Sequence, residues 1–163
     1  MPRPRHDQTR QSAGDALAGV APLLGRWTER VLGALEPPLT PTQLLMLRAV
    51  AAGDVVGADL ARRAAVSPAA VSQLLAALEG AGFLQRLRTA DDRRRQPISL
   101  SEEGARVLRA SEEALRAGLS GLLASLPGPE ADALARGLAE VEAALSGHPP
   151  PPRPRRPRPP RRG

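Results

Sequence analysis

Residues 83–100 read FLQRLRTADDRRRQPISL, from Phe83 to Leu100. Two short segments, 83–88 and 96–100, alternate apolar and polar residues as paired strands do, and they flank Thr89-Ala90-Asp91-Asp92-Arg93-Arg94-Arg95. Five arginines, Arg86, Arg88, Arg93, Arg94 and Arg95, fall within ten residues. Arg86 and Arg88 share one face of the first strand, the other three crowd the tip, and Leu87, Ile98 and Leu100 can anchor the ribbon to a body. A charge run by itself is a solvated loop. On an anchored ribbon it can also enter the minor groove of DNA, where narrow A·T stretches concentrate negative potential. Asp91 and Asp92 would repel phosphate there unless one of them braces an arginine. What precedes the ribbon decides between the two readings.

Immediately upstream, residues 56–81 contain two short helical patterns joined by Ala65-Val66-Ser67. The first has an apolar stripe at Leu60, Ala61 and Ala64, with side chains small enough for a close crossing. The second opens on Ser67, a good N-cap, and Pro68, a good first helical residue. Val71, Leu74, Leu75 and Leu78 form its buried face, and Gly80 or Gly82 closes it. This is the pattern of a helix-turn-helix, whose second helix enters a major groove. Its outer side offers Ser67, Ala69, Ala70, Ser72 and Gln73, short groups that can approach phosphates and base edges, with Gln able to bond adenine through two atoms. Taken alone that face also suits an ordinary exposed helix. Followed at once by the Arg-loaded ribbon, it reads as a DNA-binding lobe over residues 40–100.

The rest of the chain frames this lobe with helices. From residue 12 to 36, apolar residues at Leu17, Val20, Leu24, Trp27 or Val31 and Leu35 recur at three- and four-residue steps. Pro37 and Pro38 end that helix. In Leu39-Thr40-Pro41-Thr42-Gln43, Thr40 can cap the next, Pro41 fits its first position, Gln43 can close a capping box, and Gly53 stops it after about residue 52. Ser101, with Glu102 and Glu103 behind it, opens a long helix expected to reach about residue 126, with its stripe at Leu108, Leu115, Leu119, Leu122 and Leu126. Beyond Pro127-Gly128-Pro129, Leu134, Leu138, Val141 and Leu145 repeat the spacing. The terminal helices, 12–36 and 101–146, carry more apolar surface than a small lobe can cover, which points to packing against a second copy. Residues 1–11 are polar and expected to fray. The fold class is mainly α, a winged helix-turn-helix with a two-stranded wing and N- and C-terminal dimerisation helices.

Composition excludes much else. The chain has 163 residues, 42% of them hydrophobic, yet only Trp27 and Phe83 are aromatic. The absence of cysteine removes disulfides, thiolate nucleophiles and Cys-ligated zinc. His6 and His148 lie in polar or Pro-rich ends without a rigid frame, so neither a metal nor any other cofactor is expected. There are no paired carboxylates in an apolar setting, no Gly-rich phosphate loop and no nucleophile with an organised base, so the chain does not read as an enzyme. The apolar stretch at 17–24 falls far short of the roughly 20 residues that span a bilayer. With no signal-peptide pattern in residues 1–10 either, a cytoplasmic protein without membrane contact is expected. The net charge is +6, and residues 148–163 hold six arginines and no acid, so the remaining 17 arginines balance the 17 acidic residues. The position of charge carries the inference, since the body as a whole is neutral.

In order along the chain, Leu39-Thr40-Pro41-Thr42-Gln43, Leu60-Ala61, Val71-Ser72-Gln73-Leu74, Leu78-Glu79-Gly80-Ala81-Gly82-Phe83-Leu84, Asp92-Arg93-Arg94 and Ser99-Leu100-Ser101-Glu102-Glu103-Gly104 resemble the MarR family of bacterial transcription regulators, over residues 12–146. The resemblance implies a homodimer on double-stranded DNA with pseudo-palindromic operators, Asp92 matching a bracing acid and Arg94 a minor-groove arginine. It implies a regulator, most often a repressor, with a small effector bound between the dimerisation helices and the DNA-binding lobes. Trp27 and Met46 are the residues that could line such a pocket, with core packing the alternative for each. Gln73 stands where the family commonly has a basic residue, and it lacks the fork that reads guanine. Pro97 removes a donor from the second strand.

The end of the chain, 148–163, has eight prolines among its arginines and cannot build a core, so it reads as a disordered tail. It is either a phosphate-binding arm or a low-complexity extension; were it dominant, the protein would be an effector-independent architectural binder of nucleic acid. Deleting residues 148–163 is expected to lower affinity for unrelated duplex DNA and flatten its dependence on salt. An unchanged slope in a salt titration removes the arm from the function.

Overall fold

The computed structural model describes residues 5–53, 67–86 and 98–147. It is mainly helical, with one small antiparallel sheet. The segment carrying Leu60, Ala61 and Ala64, the ribbon tip and the Pro/Arg-rich end lie outside the described residues.

Helix α1 runs Arg5–Gly33, beginning seven residues ahead of the expected start at Ser12. The polar residues before Ser12 are compatible with helix, and Asp7 in the first turn suits the positive end of the helix dipole. Pro22 lies inside the helix, which continues through it. The helix stops at Gly33 rather than Glu36. The chain then turns, and the Leu39 amide donates to the Leu32 carbonyl at 3.2 Å, which seats both leucines in the core.

Helix α2, Pro41–Ala51, has the expected capping box. The Gln43 amide donates to Thr40 Oγ1 at 3.2 Å, and the Thr40 amide donates to Gln43 Oε1 at 2.8 Å. Gly53, at φ 78, takes the left-handed conformation beyond its end. Helix α3, Pro68–Gly80, is capped by Ser67 and terminated by a Schellman motif. The Phe83 amide donates to the Leu78 carbonyl at 2.9 Å and that of Gly82, at φ 78, to the Glu79 carbonyl at 3.0 Å. The buried Leu78 and Phe83 supply the apolar pair that accompanies this stop.

Strands β1, Leu84–Arg86, and β2, Ile98–Leu100, pair with Leu84 opposite Leu100, Gln85 opposite Ser99 and Arg86 opposite Ile98. Helix α4, Glu102–Leu122, ends four residues before the expected Leu126. Beyond Leu122 the chain continues in tighter turns, the Ala124 amide donating to the Gly121 carbonyl at 3.3 Å and the Leu126 amide to the Leu123 carbonyl at 2.9 Å, and Pro127 keeps Leu126 before it out of the helical region. Helix α5, Gly128–Gly147, completes the order.

The core forms where α1, α2 and α4 meet, with α3 and the sheet closing its lower side. Leu32, Met46, Leu47, Val71 and Leu78 are its most enclosed side chains. At the far end the packing is one-sided. Leu17, Val20 and Leu24 of α1, Leu122 of α4 and Leu138 and Leu145 of α5 stay exposed, Leu145 at 70%. No helix among the described residues is long and apolar enough to cross a membrane.

One junction holds the lobe to the long helix. Ser101 Oγ accepts from the Gly104 amide at 2.9 Å and donates to the Gly82 carbonyl at 2.6 Å, while the Ser101 amide donates to the Phe83 carbonyl at 3.0 Å. A Cβ on Gly104 would lie 1.9 Å from that same Phe83 oxygen. Gly104→Ala is therefore expected to destabilise the fold by about 1–3 kcal/mol through overpacking. Gly121→Ala, next to the last residue of the same helix and with nothing within 4 Å of the added carbon, should stabilise it by less than the roughly 0.5–1 kcal/mol of a mid-helix exchange. Urea denaturation of the two variants checks both signs.

Candidate nucleic-acid interface

Helix α3 is held by its inner face and offers its outer one. Val71 and Leu78 are buried, Leu74 and Leu75 are half-buried against the core, and Ser67, Ala69, Ser72 and Gln73 are exposed, with Ala70 between. Ser67 Oγ accepts from the Ala70 amide at 3.2 Å, leaving its own hydroxyl proton available to an acceptor. The N-terminus of α3 carries the positive end of the helix dipole and no acidic residue in its first turn, so it tolerates a phosphate. α3 has no basic residue, and Glu79 near its end is its single charge. Cationic attraction must come from elsewhere.

The ribbon begins on the next element. Leu84 is buried, Gln85 and Arg86 are exposed, and Gln85 Nε2 donates to the Leu100 carbonyl at 3.2 Å. Arg88, Asp92, Arg93, Arg94 and Arg95 lie outside the described residues. Arg86 does not stand as an isolated cation, as the alternation of the strand suggested. Its Nε donates to Glu79 Oε1 at 2.9 Å and to Oε2 at 3.2 Å, and its Nη2 donates to Oε2 at 3.1 Å. The hydrogen bond from Arg86 holds the Glu79 carboxyl below its ordinary value and raises the Arg86 guanidinium in turn. Whatever the pair contributes is therefore present above the ordinary 4.5 of the carboxyl and is lost as pH falls through its lowered value. Glu103 is held down in the same way by Arg106, at the start of α4.

Of the two residues suggested for an effector pocket, Met46 is 1% exposed and sits within the core. Trp27 is half-buried and lies across Gly118, where an added Cβ would be 2.6 Å from ring carbon Cζ2. Ser111, which composition and spacing do not single out, is also 1% exposed, and its Oγ has no hydrogen-bond partner among the described residues. A serine inside the otherwise apolar stripe of α4 is the signal that would have found it. Arg48 of α2 pairs with Glu112 of α4 at 2.8 Å next to it in sequence. Among the described residues no cluster of His, Asp or Glu could hold a metal ion.

A family model described as the MarR family matches residues 38–95. The HTH-type transcriptional regulator MT0903.1 of Mycobacterium tuberculosis (strain CDC 1551 / Oshkosh) is 32% identical over 112 residues, covering 66% of this chain and 78% of its own. This chain belongs to the MarR family. The HTH-type transcriptional repressor Rv2887 of M. tuberculosis is 32% identical over 102 residues, covering 61% of this chain and 73% of its own. The crystal structure of Rv2887 with p-aminosalicylic acid superposes with a TM-score of 0.67 at 28% identity, over 79% of this chain and 97% of that one. The crystal structure of Rv2887 with DNA does so with a TM-score of 0.63 at 27% identity, over 78% and 95%. The fold is thus that of a MarR winged-helix protein, and the chain is a DNA-binding transcriptional regulator, a class whose members here are named as regulators and not as enzymes.

Within the MarR framework Ser67 can both cap α3 and meet DNA, and one pair of variants separates the roles. Ser67→Ala is expected to cost about 1 kcal/mol of stability. Ser67→Asp should keep the cap and the stability but weaken DNA binding, because it places an anion at the phosphate-facing end of α3. Thermal melts and fluorescence anisotropy with labelled duplex DNA read the two effects separately.

Proposed function

We propose that the chain is a cytoplasmic, homodimeric, sequence-specific repressor that binds pseudo-palindromic double-stranded DNA and is released by a small-molecule effector. The observation that carries the reading is the capped, uncharged outer face of α3 standing beside the root of an arginine-bearing ribbon. Short side chains on α3 suit base edges in a major groove, and Arg88 and Arg93 to Arg95, which follow β1 in the sequence, are cations that suit a neighbouring groove. In this reading Arg94 enters the minor groove and Asp92 orients it.

Dimer formation is supported by the unburied leucines of α1, α4 and α5. Covering them with a second copy would set two recognition helices about one turn of DNA apart, roughly 34 Å. Repression is supported by the name of the Rv2887 relative, and effector control by the complexes of that protein with p-aminosalicylic acid and salicylic acid. The unpartnered Ser111 hydroxyl, between α4 and the helices it packs against, is a polar group that a ligand carboxylate would satisfy. Binding there would require the packing around Ser111 to open, with Trp27 and Met46 as the other residues proposed to line the pocket.

Selection of bound duplexes from a random pool tests the whole reading. The expected product is an inverted repeat bound by a particle of twice the 17.1 kDa chain mass in light scattering. Binding should survive a large excess of unrelated DNA. Arg94→Ala should weaken it by about 1–3 kcal/mol, roughly 5- to 150-fold, with the dimer intact. A monomer that binds all duplexes alike would instead support an architectural role, and equal binding by Arg94→Ala would remove the ribbon from the mechanism.

A further inference from the structure

We propose that Arg86 is a positioning residue rather than a DNA contact, and that with Glu79 it forms a charge-neutral clasp setting the angle between the recognition helix and the ribbon. The proposal rests on the DNA-binding reading and adds to it the device that orients its two halves.

Three observations converge. Glu79 is the single charged residue of α3, and Arg86 lies on the outward face of β1, so their bond spans the helix-to-strand turn. The turn is anchored up to Leu84, by the Schellman stop at Gly82 and by the burial of Phe83 and Leu84, so the direction of the strand beyond Leu84 is what remains for the pair to set. The guanidinium meets the carboxylate through two nitrogens and both oxygens, a geometry that restricts rotation as well as distance. A lone ion contact at this exposure would orient nothing. A forked one across the turn constrains the direction in which β1 leaves α3.

Charge accounting agrees. Glu79 at the C-terminal end of α3 adds an anion where the helix dipole is already negative, the wrong sign for a surface facing phosphate. Arg86 cancels it. An arginine so paired releases little counterion on meeting a phosphate and adds little to the salt dependence of binding. Because both side chains are substantially exposed, 36% and 49%, the pair is not a strong source of global stability. Its variants should therefore fold, and its effect should appear in DNA binding.

The test uses full-length protein and the duplex selected by the wild type. Glu79→Ala removes an anion from the DNA-facing region, which would ordinarily tighten binding; the clasp instead predicts roughly 5- to 10-fold weaker binding. Arg86→Lys keeps the charge but not the fork, and it should lose about as much with the slope of log affinity against log salt unchanged. Combining Glu79→Ala with Arg86→Lys should cost no more than either alone, and exchanging the pair as Glu79→Arg with Arg86→Glu should recover binding. Tighter binding by Glu79→Ala, or retained affinity in Arg86→Lys with a slope reduction of about 0.9 in Arg86→Ala, would make Arg86 a phosphate contact and overturn the proposal. A readout without DNA separates this from failure of the functional reading. The Arg86 Nε–H resonance should be protected from solvent exchange in the wild type and lose that protection in Glu79→Ala. Fast exchange in the wild type overturns the clasp whether or not any duplex is selected.

Discussion

The fold turns on the close approach between the start of α4 and the backbone of Gly82 and Phe83. The Phe83 carbonyl occupies the space a side chain at position 104 would need, and it accepts the Ser101 amide there. Ser101 in turn satisfies the Gly82 carbonyl and the first turn of α4 with one hydroxyl. These groups are backbone or nearly so, hence stiff. They join the end of α3, the root of the ribbon and the start of α4 at one point. Every other contact of the lobe, including the leucines of α3 against the core, is arranged around a connection with little freedom to shift.

That connection gives physical content to effector control in a protein of this family. If α3, β1 and the start of α4 are tied together, a change in the packing of α1 and α2 on α4 is felt as reorientation of the lobe rather than as unfolding of one of its parts. Trp27 across Gly118 and the Ser111 hydroxyl lie farther along α4, on the side that meets α1 and α2. Were an effector to act there, as proposed, coupling would need no long pathway, since α4 carries Gly118 toward one end and meets the ribbon root at the other.

Much of this was legible along the chain because it is written in local chemistry. Thr40, Pro41 and Gln43 form the capping box their spacing announces, Ser67 and Pro68 open α3, and the sheet pairs the segments chosen by alternation. What escaped depends on contacts between distant residues. Nothing in the spacing distinguishes Gly104, which must lack a side chain, from Gly121, which need not. The start of α1 at Arg5 was missed because a run of polar residues contains no stop signal and helix can extend along it. Alternation gives the strand face of Arg86 but says nothing of its partner on the preceding helix, Glu79. Glu79, seven residues earlier on the other side of a glycine turn, was in plain view as the only charge on α3. The idea of an acid bracing an arginine was attached to Asp91 and Asp92 alone, when it applied to the ribbon root as well.

The division of charge explains why orientation carries so much weight here. With 17 arginines against 17 acids before residue 148, no general field draws DNA onto the body. α3 brings shape and hydrogen-bonding groups but no positive charge, while the ribbon brings cations. Neither half can substitute for the other, because attraction without the α3 face does not discriminate and the α3 face without attraction does not hold. If both are to meet their grooves at once, as proposed, the direction in which β1 leaves α3 at the ribbon root bears on binding. A neutral, forked contact at that root is suited to this task, since it constrains direction without adding a charge that would bind any phosphate within reach.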